Sequence, residues 1–411
     1  MIDVINMIRN PRALGAEAGA THPVAKVLPA SRFKAALAEI ASWPGYAPTP
    51  LVSLPDFARS AGLASVLYKD ESGRFGLGSF KALGGAYAVA RVLARELRRA
   101  GVADSASAAD LASGRYAGAV KTITITSATD GNHGRSVAWG ARLFGCRAVI
   151  FIHETVSDGR RAAIEKFGAE VIRVRGGYDD SVRHAFAEAA RNGWHVVQDT
   201  GAGDYREVPA DITCGYGVIA DEIVRALAAE NVQPPTHVFV QAGVGGVASA
   251  LCARFLQLWG RERPCFVVLE PSNAACVAAS LVAGRRVALE GSVDSVMAGL
   301  SCGEVSSLAW EILADGADGA ITINDELALE GMRRLADPVG SDPAIVAGEC
   351  SGAAAGALMA LADRPELRAL IGLDARSRVL LLGTEGATDP AIYADVVGRA
   401  PDAVVGNRDG R

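Results

Sequence analysis

Lys81 lies in the stretch Arg74–Ala86 (RFGLGSFKALGGA), between Ser79-Phe80 and a helix start made of small residues. A glycine-lined, apolar setting desolvates an ammonium and frees the amine to attack a carbonyl, so this lysine is a candidate Schiff-base former. Alone, a lysine at a helix start is an ordinary surface residue, and three other segments give it weight. Ser127–Gly134 (SATDGNHG) follows a strand pattern and presents Asp130 and Asn132 between glycines. Gly243-Val244-Gly245-Gly246 again joins a strand to a helix, where backbone amides make a phosphate cradle. Leu380–Pro390 (LLLGTEGATDP) offers the hydroxyls of Thr384 and Thr388 after the last strong strand.

A reactive lysine, a phosphate cradle, an Asn and a hydroxyl are the parts a pyridoxal-phosphate site requires. The rival reading is specific: Gly243, Gly245 and Ala248 fit G-x-G-x-x-A, and Glu270 closes the next strand, as in a dinucleotide site with its ribose-binding acid. That oxidoreductase reading leaves Lys81 and Asn132 without a task, and Glu270 lies further on than the usual spacing of about 20 residues. A monophosphate is the better occupant.

The elements that must carry these loops follow from pattern. Strands are expected at Lys121–Thr126, Ala148–His153, Glu170–Val174, His195–Gln198, His237–Gln241, Phe266–Glu270, Gly319–Ile323 and Arg378–Leu382, with helical patterns between them, among them Ser136–Leu143, Tyr178–Arg191 and Ala248–Leu258. Continuous apolar strands alternating with helices imply mainly parallel, open sheets covered on both faces, an α/β protein. In such sheets ligands bind beyond the carboxyl ends of the strands.

At 411 residues the chain exceeds one ordinary hydrophobic core, so two lobes are expected. A net charge of -5 argues against a nucleic-acid partner. Arg91, Arg95, Arg98 and Arg99 read as a solvated helix face. No apolar run is long enough to span a bilayer and the N-terminus lacks the pattern of a secretion signal, so the expected location is cytoplasmic. The seven cysteines show neither CxxC pairs nor metal spacing, so no metal site is expected.

RFGLGSFKALGGAYA, TSATDGNHGRSVAWGA, VVQDT followed by GYG, QAGVGG, VLEP, MAGLSCGE and GTEGATDP occur in the order found in the diaminopropionate ammonia-lyases, and the chain resembles that family from about Pro48 to about Asp389. These are tryptophan-synthase-β-like (fold type II) pyridoxal-phosphate enzymes. The SFK and GNHG pieces are shared with threonine and serine dehydratases; the Thr-Asp before GNHG, the QDT element and the TEGATDP ending resemble the diaminopropionate enzymes in particular. The resemblance implies a discontinuous larger lobe (1–83 plus 213–400), a smaller lobe (84–212), a loosely ordered tail (401–411), a cofactor in the cleft, and a homodimer.

It also implies roles. Lys81 carries the cofactor, Asn132 bonds its phenolic oxygen, Gly243, Val244, Gly245 and Gly246 hold the phosphate, and Thr384 faces the pyridine nitrogen. The reaction implied is loss of ammonia from 2,3-diaminopropionate, giving pyruvate and a second ammonia. Use of both enantiomers requires a base on each face: Lys81 on one and Asp130 on the other. Asp199 receives the substrate's β-ammonium, a cation suited to a carboxylate. Cys276 and Cys302 match two recurring family cysteines, expected to face one another as thiols. The family commonly has an aromatic soon after QDT, where this chain has Gly201-Ala202-Gly203, which leaves the exact substrate open. The alternatives are a serine/threonine dehydratase-like enzyme, a related ammonia-lyase acting on another small amino acid, and a nicotinamide-binding oxidoreductase.

Overall fold

The computed structural model describes residues 5–14, 19, 21–129, 131–200 and 205–405. The chain folds as two units, the first of Met1–Ala30, Pro48–Ser79 and Ile219–Arg411, the second of Ser31–Ala47 and Phe80–Val218. Eleven strands occur among the described residues: β1 (Ile5–Arg9), β2 (Leu51–Ser53), β3 (Ser65–Asp70), β4 (Thr124–Thr129), β5 (Arg147–His153), β6 (Glu170–Val174), β7 (His195–Val196), β8 (His237–Gln241), β9 (Cys265–Pro271), β10 (Gly319–Ile323) and β11 (Arg378–Gly383).

The first unit holds a seven-stranded sheet in the order β1-β10-β9-β8-β11-β3-β2, parallel inside and antiparallel at both edges. Its central strands HVFVQ and RVLLLG are buried almost throughout, as a sheet covered on both faces requires. The strand order reverses between β8 and β11, which are hydrogen-bonded neighbours. The second unit holds a parallel sheet in the order β6-β5-β4-β7, with its reversal between β4 and β7. Each unit therefore has a switch point where the loops leaving two adjacent strands diverge.

Several local readings differ from the structure. The strand expected at Lys121–Thr126 runs instead over Thr124–Thr129, because the Thr122 amide is taken by Ala119 O in the turn that ends the helix Ala117–Val120. The helix expected at Ser136–Leu143 begins at Asn132, which puts Asn132 in its first turn and not in a free loop. Segment 31–47 joins the second unit: Phe33 sits where a Cβ on Gly217 would lie, and Trp43 packs edge-on against Trp139 and Phe144. The expected loose tail is a short helix at Pro401–Val405, with Val404 buried in a cluster containing Met332 and Tyr393; residues 406–411 lie outside the described residues. The arginine face is only partly solvated, since Arg95 binds the buried Asp211 at 2.6 Å and Arg91 binds Glu39 at 3.4 Å.

The strand β3 is illegible in the sequence because SVLYKD places Lys69 in the core. There Lys69, Glu71, Arg74 and Glu222 form a charge-balanced cluster, each at most 3% exposed. Glu222 Oε2 accepts from Lys69 Nζ at 2.6 Å and Arg74 Nη2 at 2.7 Å, while Arg74 Nε donates to Glu71 Oε2 at 2.8 Å. Thr49 joins it, its carbonyl accepting from Lys69 Nζ at 2.7 Å. The cluster fixes the segment after β3, further held where Ser79 bridges Glu385 and the Gly386 amide donates to Gly78 O at 2.9 Å. Removing one member strands buried charge. Glu222→Gln should lower unfolding free energy by about 3–5 kcal/mol in denaturant titration, against under about 1 kcal/mol for Glu188→Gln in a surface pair. Similar losses for both would show that the cluster does not hold this segment.

Candidate active site

Of the six lysines, four are exposed and Lys69 is sealed in the ion cluster, which leaves Lys81 as the half-buried one. It opens the helix Lys81–Arg99 of the second unit. Ser136 Oγ donates to the Lys81 carbonyl at 2.7 Å and accepts from the Ala86 amide at 3.1 Å, tying that start to the helix Asn132–Phe144. The two helices touch closely: a Cβ on Gly140 would lie 2.7 Å from Ala86 Cα, so only glycine fits.

The Lys81 amine donates to Asp199 Oδ2 at 2.7 Å, with the Phe80 and Tyr216 ring centroids 5.6 and 6.0 Å away. The expected apolar walls are present, but a carboxylate holds the amine as its ion-pair partner. Burial pushes the Asp199 carboxyl up, and the Lys81 ammonium and His133 more than offset it, so it titrates well below the ordinary carboxylate range. His133 Nδ1 lies 4.0 Å from the same Oδ2, and its Nε2 is 2.9 Å from Val197 O.

Asp199 follows β7, and Asn132 and His133 follow β4, so these groups leave the carboxyl ends of adjacent strands. Gln198 stitches those ends together. Its Oε1 accepts from Ser127 Oγ at 3.0 Å and the Ala128 amide at 3.1 Å, and its Nε2 donates to Tyr178 Oη at 2.7 Å. Tyr205 Oη accepts from the Gln198 amide at 2.8 Å. Asp130 and residues 201–204, including Gly201-Ala202-Gly203, lie outside the described residues.

In the first unit, the loop after β8 and Thr384 after β11 likewise leave neighbouring strands. Gln241 joins these ends, its Nε2 donating to Leu382 O at 2.8 Å and Cys350 O at 2.9 Å. Gly245 has φ +89° at the N-cap of the helix Gly246–Trp259 and no side chain to occupy the first amides. A Cβ on Gly243 would meet Gly299 O at 2.8 Å and Cys302 Sγ at 2.9 Å. Thr384 is buried, 3.3 Å from Ser351 Oγ, which also accepts from the Glu385 amide at 2.7 Å and donates to its carbonyl at 2.6 Å. Cys276 and Cys302 are both reduced, with no disulfide between them; Cys276 Sγ lies 3.6 Å from Gly243 O, and burial pushes its thiol up.

Sequence reasoning missed Ser136, His133, Gln198, Gln241 and Ser351 as positioning groups. The two glutamines alone carried a signal, each a polar residue closing an apolar run, HVVQ and HVFVQ. Glu270 is not a ribose ligand: its two oxygens accept the Val277 and Ala278 amides, both at 2.8 Å, at the start of the helix Cys276–Ala283. Burial pushes its carboxyl up to about 8 while those amides pull it down.

Each unit has a feature that fits part of a pyridoxal-phosphate group: the second a half-buried lysine amine suited to the aldehyde, the first amides at a helix N-terminus suited to the phosphate. A family model described as "Pyridoxal-phosphate dependent enzyme" matches residues 42–382. Diaminopropionate ammonia-lyase of Escherichia coli (strain K12) is 39% identical over 364 residues, 88% of this chain and 89% of the relative. That of Salmonella typhimurium (strain LT2) is 39% identical over 360 residues, covering 86% and 89%. A crystal structure of the Escherichia coli lyase in complex with an aminoacrylate-PLP azomethine reaction intermediate has TM-score 0.84 and 36% identity, covering 96% of each chain. The class is thus the fold type II pyridoxal-phosphate enzymes. Within it, the chain belongs to the diaminopropionate ammonia-lyase family. Among the described residues, no helix is long and apolar enough to cross a membrane.

Gly245→Val puts a β-branched residue at φ +89° with its Cβ 2.9 Å from Ala309 Cβ. Titration with pyridoxal phosphate should give a Kd at least about tenfold higher, a displacement of the loop by about 1.4 kcal/mol. An unchanged Kd would place the phosphate elsewhere.

Proposed function

We propose that this enzyme eliminates ammonia from 2,3-diaminopropionate, giving pyruvate and a second ammonia. The observation that carries the reading is Asp199, a carboxylate 9% exposed that already holds an ammonium at 2.7 Å. The leaving group of diaminopropionate is itself an ammonium, whereas the hydroxyl of serine or threonine has no use for that charge. Kept protonated against Asp199, the β-nitrogen departs as a neutral molecule.

When bound, the cofactor withdraws electrons from the substrate's α-carbon and so acidifies its proton. Lys81 would hold the cofactor through its aldehyde, and its amine would serve as the base for the α-proton on its own face. Asn132 donates to the phenolic oxygen, the amides of Gly243, Val244, Gly245 and Gly246 hold the phosphate, and Thr384 meets the pyridine nitrogen with a hydroxyl. A hydroxyl there does not keep that nitrogen protonated, which favours prompt elimination over chemistry that needs longer-lived carbanion character. Asp130 is the base for the opposite enantiomer. Family resemblance also supports a homodimer and a cytoplasmic location. The Escherichia coli and Salmonella relatives do not favour the dehydratase alternative.

Two measurements check this. Diaminopropionate should have a far higher kcat/KM than serine or threonine, and Asp199→Asn should cut that preference by about 10- to 150-fold, the worth of a charge-assisted hydrogen bond. A preference unchanged in the variant would place the β-ammonium elsewhere. Asp130→Asn should lower turnover about 10²–10⁴-fold for one enantiomer of diaminopropionate, expected to be D, and spare the other. Equal losses for both enantiomers would reduce Asp130 to a shaping role.

A further inference from the structure

Tyr216 belongs to the GYG stretch, yet neither the cofactor nor the substrate roles give it a task. It lies in the second unit on the helix Glu207–Ala229 and is 1% exposed. Its hydroxyl completes no hydrogen bond among the described residues. A buried hydroxyl that bonds nothing costs folding free energy, and phenylalanine would fill the same space without that cost.

Two glycines decide where the hydroxyl sits. A Cβ on Gly215 would lie 3.0 Å from Gly84 Cα, so the helices Glu207–Ala229 and Lys81–Arg99 meet backbone to backbone. A Cβ on Gly84 would meet Tyr216 Cζ, the carbon that bears the hydroxyl, at 2.6 Å. Gly84 comes three residues after Lys81 and shares its helix face. The phenol ring packs edge-on against Phe80, with centroids 4.8 Å apart. Burial pushes the phenol up, the Lys81 ammonium beside it pulls it down, and Asp199 pushes it up again. Burial prevails, which keeps the phenol neutral with lone pairs to offer.

We propose that Tyr216 is a specificity-determining residue whose hydroxyl oxygen accepts from the ammonium that Asp199 holds. The proposal rests on the reading that Asp199 receives the substrate's β-ammonium. An ammonium has three N–H donors, and against the Phe80 and Tyr216 rings each needs an acceptor. Asp199 Oδ2 accepts one from Lys81 at 2.7 Å. With the substrate's β-ammonium in that place, Tyr216 Oη accepts another, and the phenol keeps its own proton throughout. A bond from a charged donor is roughly twice as strong as one from the neutral hydroxyl of serine, so the contact favours diaminopropionate. Asp199 supplies the charge, and Tyr216 the second direction that fixes the nitrogen.

The test uses the enzyme loaded with pyridoxal phosphate and two amino acids with no leaving group on the β-carbon, 2,4-diaminobutyrate and 2-aminobutyrate. They differ by one terminal ammonium. The ratio of their dissociation constants, read from the cofactor's absorbance, therefore reports recognition of that ammonium apart from turnover. Tyr216→Phe keeps the ring and should lower the preference for 2,4-diaminobutyrate about tenfold, the worth of one hydrogen bond to a charged group. The kcat/KM preference for 2,3-diaminopropionate over serine should fall by a similar factor. The thermal midpoint of the variant should equal or exceed that of the wild type, because the unpartnered hydroxyl is gone. A hydroxyl that served packing alone would leave the binding ratio as it was. An unchanged ratio in Tyr216→Phe, with Asp199→Asn lowering it, overturns this proposal alone. An unchanged ratio in both variants overturns the β-ammonium reading with it.

Discussion

The Asp199 carboxylate of the second unit, its side chain 9% exposed, is held as an anion by the cation that stands against it, and much of that unit's local structure serves this pairing. Lys81 supplies the cation at 2.7 Å across 118 residues of sequence. Ser136 fixes where the lysine's helix begins, and Gln198 with Tyr205 fixes the backbone that presents the carboxylate. A lysine so placed is held ready, and the carboxylate that holds it has the charge needed for an ammonium substrate group. On the proposed reading, one electrostatic constraint links the fold to the choice of leaving group.

The first unit answers the same problem differently. Lys69, Glu71, Arg74 and Glu222 balance one another's charge within the core. Their product is rigidity in the segment that follows β3. A balanced cluster gives structure, whereas the Lys81–Asp199 pair is, on the proposed reading, one whose cation is exchanged for the substrate's. The glycines at 243 and 245 show the complementary device, in which side chains are absent so that backbone amides stay open at a helix start.

Much of this was legible in the sequence where the signal was local. Apolar runs such as HVFVQ and EVIRV located strands to the residue, and the glycine-rich loops marked the strand ends that face ligands. Local signals failed where tertiary pairing overrides composition: SVLYKD hides a core strand because its lysine finds Glu222 far along the chain, and INMIR and LVS are short antiparallel edges. KTITIT misled because its first residues close a turn. Ser136 and Ser351 left no trace, since each acts through bonds to backbone remote in sequence. Asp199 and Lys81 were each visible, but their pairing was not.

Every step of the proposed chemistry depends on Lys81 as the residue that binds the cofactor's aldehyde. Borohydride reduction of the enzyme loaded with pyridoxal phosphate, followed by peptide mass mapping, reads that bond directly among the six lysines. The predicted result is a single pyridoxyl label on the peptide containing Lys81. A label on any other lysine, or none on a protein that retains the cofactor, would contradict it.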